Sequence, residues 1–173
     1  LQFYLPRTFD AKKEYPVLIF LQGGLGVGGT PIQVISWGIP KVLNDPSVPF
    51  KGDHLLRDSF IVVSPHMIEG PFRERQWFLQ EKGMKEIIAE VSSNFKVDID
   101  RIYLTGLSRG GAGTWGLASR LKDTFAAIVP ICGVINGITD FDHLSNLPIW
   151  VAHNDGDGIV DYSESVKAVS KIE

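Results

Sequence analysis

Apolar residues fall into short continuous runs separated by polar, Gly-rich or Pro-rich stretches. Pro16-Val17-Leu18-Ile19-Phe20-Leu21, Phe60-Ile61-Val62-Val63-Ser64, Ile102-Tyr103-Leu104-Thr105, residues 125–131 and Pro148-Ile149-Trp150-Val151-Ala152 are all of strand length. Runs of this kind fit strands buried on both faces, as in a parallel sheet. Gln2-Phe3-Tyr4-Leu5, stopped by Pro6, reads as one more strand. Over 81–95 the period changes. Met84, Ile87, Ile88, Val91 and Phe95 recur at helical spacing, with Glu81, Lys82, Lys85, Glu86 and Glu90 elsewhere, which predicts an amphipathic helix. A second helix should follow Ser108 and end near Asp123. A last one covers 161–172, with Asp161 and Glu164 placed as an Asp-type capping box. Residues 37–43 read as a short helix interrupted at Pro40, 44–58 and 65–77 as irregular connectors, and 133–146 as a loop or short helix. Long connectors often shape binding sites. Strands alternate with helices and no tight hairpin signal separates them. The expected fold class is therefore α/β, with a mostly parallel central sheet and helices on both faces. Length places residues 1–173 in a single domain.

One stretch joins this pattern to chemistry. The strand at 102–105 runs into Gly106-Leu107-Ser108-Arg109-Gly110, a match to G-x-S-x-G, and then into a small-residue helix start. That strand–turn–helix context is what a nucleophile elbow requires. A sharp turn holds the serine in a strained conformation and aims its hydroxyl out of the sheet. The positions two before and two after crowd the turn, and Gly106 and Gly110 lack bulk there. Gly113 and Gly116 continue one helical face and should let the helix sit close on the sheet.

In an open α/β sheet, function collects at the carboxyl ends of the strands. Four such ends carry polar or Gly-rich residues: 22–29, 65–77, Ser108 and 153–157. A serine needs a base to take its proton and donors to receive the oxyanion. The backbone N–H of Arg109 is one expected donor, and the loop holding Gly23 and Gly24 supplies the second. The spacing of that loop does not match a P-loop. Asp157, downstream of the serine and just past a strand, fits the order Ser, acid, His; Asp155 is the alternative. The base is not evident. The histidines are His54, His66, His143 and His153, and none follows Asp157. His153 reads as a packed, hydrogen-bonded residue, whereas His66 ends a strand at the presumed active edge.

Composition narrows the classes. A net charge of −3 argues against nucleic-acid or anionic-membrane partners. No apolar run approaches the ~20 residues of a membrane span. The single cysteine, Cys132, has no internal disulfide partner and is expected as a buried reduced thiol. No zinc-type Cys/His spacing is present, and neither metal nor cofactor is called for. The chain starts at Leu1 without a visible signal peptide, so its compartment cannot be read from that end.

Taken together, these motifs resemble an α/β-hydrolase-fold serine esterase. The likeness is to the prolyl-oligopeptidase-like esterases often labelled predicted peptidases, with feruloyl- and acetyl-esterase relatives. It covers nearly the whole chain. It rests on Phe3-Tyr4-Leu5-Pro6, on Tyr15 to Leu21, on Phe60 to Pro65 with Trp77, on Asp100 to Gly111, on Val129-Pro130-Ile131-Cys132-Gly133, and on Pro148 to Val151 with His153 and Asp157. Gln22-Gly23-Gly24 departs from the family's usual His-Gly, and Arg109 stands where a Met is frequent. The family pattern H-G-x-x-D-x-x-V maps onto His153, Asn154, Asp157 and Val160, which favours Asp157 as the acid and makes His153 structural.

The resemblance implies a Ser-His-Asp acyl-enzyme mechanism on small or aromatic acyl esters. Ser108 and Asp157 would be catalytic, Gly24 and Arg109 would form the oxyanion hole, and Gln22, His66 and Trp77 would lie near the substrate. It is compatible with a soluble, secreted or periplasmic protein. It also puts the catalytic histidine after one more strand, beyond Glu173, so the chain reads as truncated before that strand. A serine peptidase on the same fold and a non-catalytic hydrolase-like domain are the alternatives.

Overall fold

A computed structural model describes residues 1–24, 31–45, 47–48, 51–67 and 76–173. Five of the apolar runs form one sheet: β1 (Gln2–Tyr4), β2 (Tyr15–Leu21), β3 (Ile61–Ser64), β4 (Val97–Leu107) and β5 (Ala127–Ile131). Their order is β1-β3-β2-β4-β5. β1 is antiparallel to β3 and every other pairing is parallel, with Val17 opposite both Ile61 and Ile102, and Tyr103 opposite Ala127. β2, β3 and the second half of β4 are mostly apolar because both faces are covered there, whereas the first half of β4, with Asp98, Asp100 and Arg101, reaches the surface. Ile19, Leu21, Ile61, Val63 and Leu104 are fully buried.

The helices are α1 (Gly38–Asn44), α2 (Asp53–Ser59), α3 (Glu81–Asn94), α4 (Arg109–Arg120), α5 (Phe141–Leu144) and α6 (Ser163–Ile172), with 3₁₀ turns at Pro31–Ser36 and Trp77–Leu79. They lie on both faces of the sheet. Leu21 meets α4 at Gly113, whereas its neighbour Phe20, pointing the other way, lies under Gly38 at the start of α1. α3 follows the predicted periodicity, with Met84 and Val91 buried.

Four local expectations differ from the structure. α1 is not interrupted at Pro40, because Pro40 sits in the first turn, where a missing N–H costs nothing. The connector 44–58 contains α2. That helix opens at Gly52, in the left-handed region at φ 94°, and buries Leu56 alone among its hydrophobic residues, too little to show as periodicity. Arg57 of α2 donates to the carbonyls of Val42 and Leu43 and so caps the end of α1. The run at 148–152 lies alongside β5 but holds to it through only two isolated bridges, Ile128 with Ile149 and Ile131 with Ala152. Ile128 donates to the Pro148 carbonyl and Cys132 to that of Ala152. The bond that would complete this ladder must come from residue 130, a proline, which has no N–H. Finally, Gly113 and Gly116 serve mainly the 3₁₀ turn rather than the sheet. A side chain at Gly113 would strike Trp77, and one at Gly116 would strike Phe78 and the Gly137 carbonyl.

At the start of α6 the expected capping box does not form. Asp161 accepts from the Ser163 N–H at 2.8 Å, while the Glu164 carboxylate turns to Lys167 at 2.9 Å and to the Ile135 N–H at 3.4 Å. Among the described residues, no helix is long and apolar enough to cross a membrane.

Candidate active site

A strained backbone position sits between β4 and α4. Ser108 has φ 57° and ψ −113°, a conformation L-residues avoid. Two backbone bonds hold it there: its N–H donates to Ile131 at 2.8 Å, and its carbonyl accepts from Ala112 at 2.9 Å. Such strain costs of order 1–3 kcal/mol and persists only where the surroundings enforce it. The flanking glycines show how. A Cβ at Gly106 would lie 2.8 Å from Leu21 Cβ, and one at Gly110 would lie 2.6 Å from the Leu21 carbonyl carbon and 2.9 Å from the Gln22 oxygen. The obstacle at Gly110 is backbone and cannot rotate away. Gly110→Ala is therefore expected to destabilise the fold by about 3 kcal/mol or more, measured by urea unfolding, with loss of soluble protein as the extreme outcome.

The end of β2 runs beside this elbow. A Cβ on Gly23 would lie 3.7 Å from Ser108 Cβ, and one on Gly24 would lie 3.4 Å from the Arg109 guanidinium. Trp77 braces the strand end from behind, its indole N–H donating to the Gln22 carbonyl at 2.9 Å. Residues 25–29 of the predicted glycine loop lie outside the described residues.

Gln22, Gly24, Ser108, Arg109 and Asp157 line one cleft of about 560 Å³. Five of the seven sequence-predicted site residues thus come together, from three separate strand ends. Trp77 is buried behind the cleft, and His66, half-buried after β3, does not line it. Asp155 is exposed and also lies off the cleft. Trp37, one of the aromatic residues that the sequence suggests near the site, lines it as well, and so do Cys132 and Ile159, which no motif marks as site residues. Cys132 is half-buried rather than enclosed, and its φ is 42°. Burial pushes its thiol pKa up, the Ser108 N–H opposes that, and the Asp157 charge adds to it.

Asp157 is held by backbone N–H groups. Asp157 Oδ1 accepts from Ile159 at 2.8 Å and from Val160 at 3.0 Å. These two bonds, in that order, pull its pKa below the ordinary value against a smaller upward push from burial. His153 itself is structural, as its place in the sequence suggests. Its side chain is 1% exposed, with Nδ1 2.7 Å from Ser165 Oγ and Nε2 2.9 Å from the Val160 carbonyl. A carbonyl only accepts, so Nε2 carries the proton and Nδ1 accepts from the serine. Both ring nitrogens are occupied in bracing the Asp157 loop against α6. His153→Ala leaves a buried hydroxyl and a carbonyl without their partner, and is expected to cost about 2–4 kcal/mol in chemical denaturation. His54 on α2 and His143 on α5 lie away from the cleft, so none of the four histidines lines it.

The strained serine, the backbone-held carboxylate and the N-terminus of α4 behind Arg109 meet at one cleft, and known proteins share the fold around it. A thermostable esterase superposes with a TM-score of 0.74 at 23% identity, covering 98% of this chain and 46% of that one. An esterase from Butyrivibrio proteoclasticus gives 0.67 at 15% identity, over 98% and 78% of the two chains. The acylaminoacyl peptidase of Pyrococcus horikoshii gives 0.69 at 15%, over 98% and 32%. The fold is that of the α/β hydrolases, and its structural neighbours are esterases and peptidases.

In sequence, the chain is 25% identical over 160 residues to dipeptidyl-peptidase 5 of Porphyromonas gingivalis, covering 87% of this chain and 21% of that protein. It is 27% identical over 128 residues to a bifunctional acetylxylan esterase/xylanase of Neocallimastix patriciarum, covering 69% and 18%. The chain therefore spans about a fifth of the length of these curated relatives. No described protein family matches it.

Proposed function

We propose that residues 1–173 are the nucleophile-bearing part of a serine hydrolase that cleaves carboxylic esters by acyl transfer. One observation carries the reading: a serine strained at φ 57° shares a cleft with a backbone-held carboxylate and with the glycine end of a neighbouring strand. Ser108 Oγ attacks the ester carbonyl carbon, and its proton passes to an imidazole oriented by Asp157. The N–H groups of Arg109 and Gly24 receive the oxyanion. The imidazolium then protonates the departing alkoxide, and water activated by the same imidazole releases the acid and regenerates Ser108. Among the described residues no histidine lines the cleft, so on this reading the imidazole is supplied by another part of the polypeptide or by a second one. No metal or cofactor takes part in these steps.

A serine peptidase is the second reading, favoured by the likeness to a dipeptidyl peptidase and an acylaminoacyl peptidase. The full protein, assayed on ethyl esters and on amides of the same acids, separates the two. Faster turnover of the esters by more than their greater intrinsic reactivity supports the esterase. Efficient cleavage of peptide amides supports the peptidase. No turnover of either supports a non-catalytic hydrolase-like domain.

A further inference from the structure

We propose that Trp37 and Ile159 are specificity-determining residues, forming two walls of a subsite for a bulky apolar group of the ester. This rests on the hydrolase reading and adds to it a substrate class: esters whose acyl or alkoxy group is a ring or a chain of several carbons, in preference to acetyl and methyl esters.

Both residues are large and apolar and lack cover from residues 1–173, Trp37 at 51% exposed and Ile159 at 92%. Singly, such residues are ordinary on a protein surface. Here they come from different elements, the start of α1 and the acid loop, and line the cleft that holds Ser108. Each is also anchored through its backbone. Trp37 precedes Gly38, whose φ of 60° and close seat on the buried Phe20 ring, 2.7 Å from an added Cβ to Cε2, fix the turn. Ile159 donates its N–H to the Asp157 carboxylate, so its backbone is tied while its side chain stays free. Fixed backbones carrying uncovered apolar side chains are pre-organised to lose water to a ligand. Val34, 2% exposed, and Leu107 continue the apolar lining. At about 560 Å³ the cleft falls within the range that encloses drug-sized ligands and far exceeds an acetyl group.

The test uses the full protein and two ester series followed by proton release: methyl acetate, benzoate and octanoate for the acyl side, and ethyl, benzyl and octyl acetate for the alkoxy side. The bulky member of at least one series is expected to have the higher kcat/KM. Trp37→Ala and Ile159→Ser should each lower the bulky-to-small ratio by roughly ten-fold, the scale on which apolar pockets discriminate. Ile159→Ser keeps the N–H that holds Asp157, so a changed ratio reports the side chain. Trp37→Phe should restore part of the ratio if a ring is the occupant. A parallel titration measures binding of the preferred ester to Ser108→Ala protein with and without the two wall substitutions, and weaker binding with them is expected. Turnover with ratios and binding indifferent to both substitutions overturns the subsite and leaves the hydrolase reading standing. Binding lost on substitution, with no ester ever hydrolysed, upholds the subsite and sinks the hydrolase reading.

Discussion

Ser108→Ala is expected to lower kcat/KM of the full protein for its ester substrate by about 10⁵-fold or more while leaving the melting temperature nearly unchanged. The two halves of that expectation have different origins. On the proposed mechanism the loss follows from removing the atom that would form the acyl-enzyme; burial raises the pKa of the neighbouring Cys132 thiol, which favours its poorly nucleophilic protonated form. The unchanged stability follows from where the strain is held. The bonds from Ser108 N–H to Ile131 and from Ala112 to the Ser108 carbonyl are backbone bonds, so alanine keeps the same turn. Steady-state kinetics beside a thermal melt checks both. Retained activity would mean that another residue is the nucleophile.

The second large effect belongs to the acid. Asp157→Asn is expected to cost roughly 10⁴-fold in kcat with little change in KM. The asparagine carbonyl can still accept from Ile159 and Val160, so the loop keeps its course. Its amide, however, presents a donor where the catalytic imidazole needs an acceptor, and the base is held in the wrong tautomer. The same variant has a stability signature. Because the folded carboxyl has a pKa below its ordinary value, its ionised form stabilises the fold above that ordinary value, and the contribution is lost as pH falls through the lowered one. The stability gap between wild type and Asp157→Asn should thus be widest near neutrality and close in acid, which denaturation at several pH values would show.

Much of the fold, and the placement of several candidate residues, was legible in the sequence, for reasons that differ residue by residue. The elbow could be read because its constraint is local: Gly106 and Gly110 are demanded by the chain's own turn and by the strand beside it. The buried parts of the central strands could be read because a strand covered on both faces is nearly all apolar, whereas the exposed first half of β4, 97–101, gave no such run. His153 could be read as structural because it ends a strand beside its own hydrogen-bonding loop. Tertiary contact hid the rest. Nothing in the spacing of Gly113 and Gly116 tells that their partner is the Trp77–Leu79 turn and not the sheet. α2 was invisible because it buries so little, and the edge segment looked like a full strand because the interruption lies in its neighbour, at Pro130. Cys132 and Ile159 share no motif with Ser108 and meet it only through the fold.

The central claim is that Ser108 is an activated nucleophile. Treating the full protein with a fluorophosphonate probe and locating the adduct by peptide mass spectrometry tests it most directly. A single adduct on Ser108, abolished by Ser108→Ala and slowed by Asp157→Asn, is the predicted result. An adduct on a different residue, or none in protein that hydrolyses esters, would contradict it.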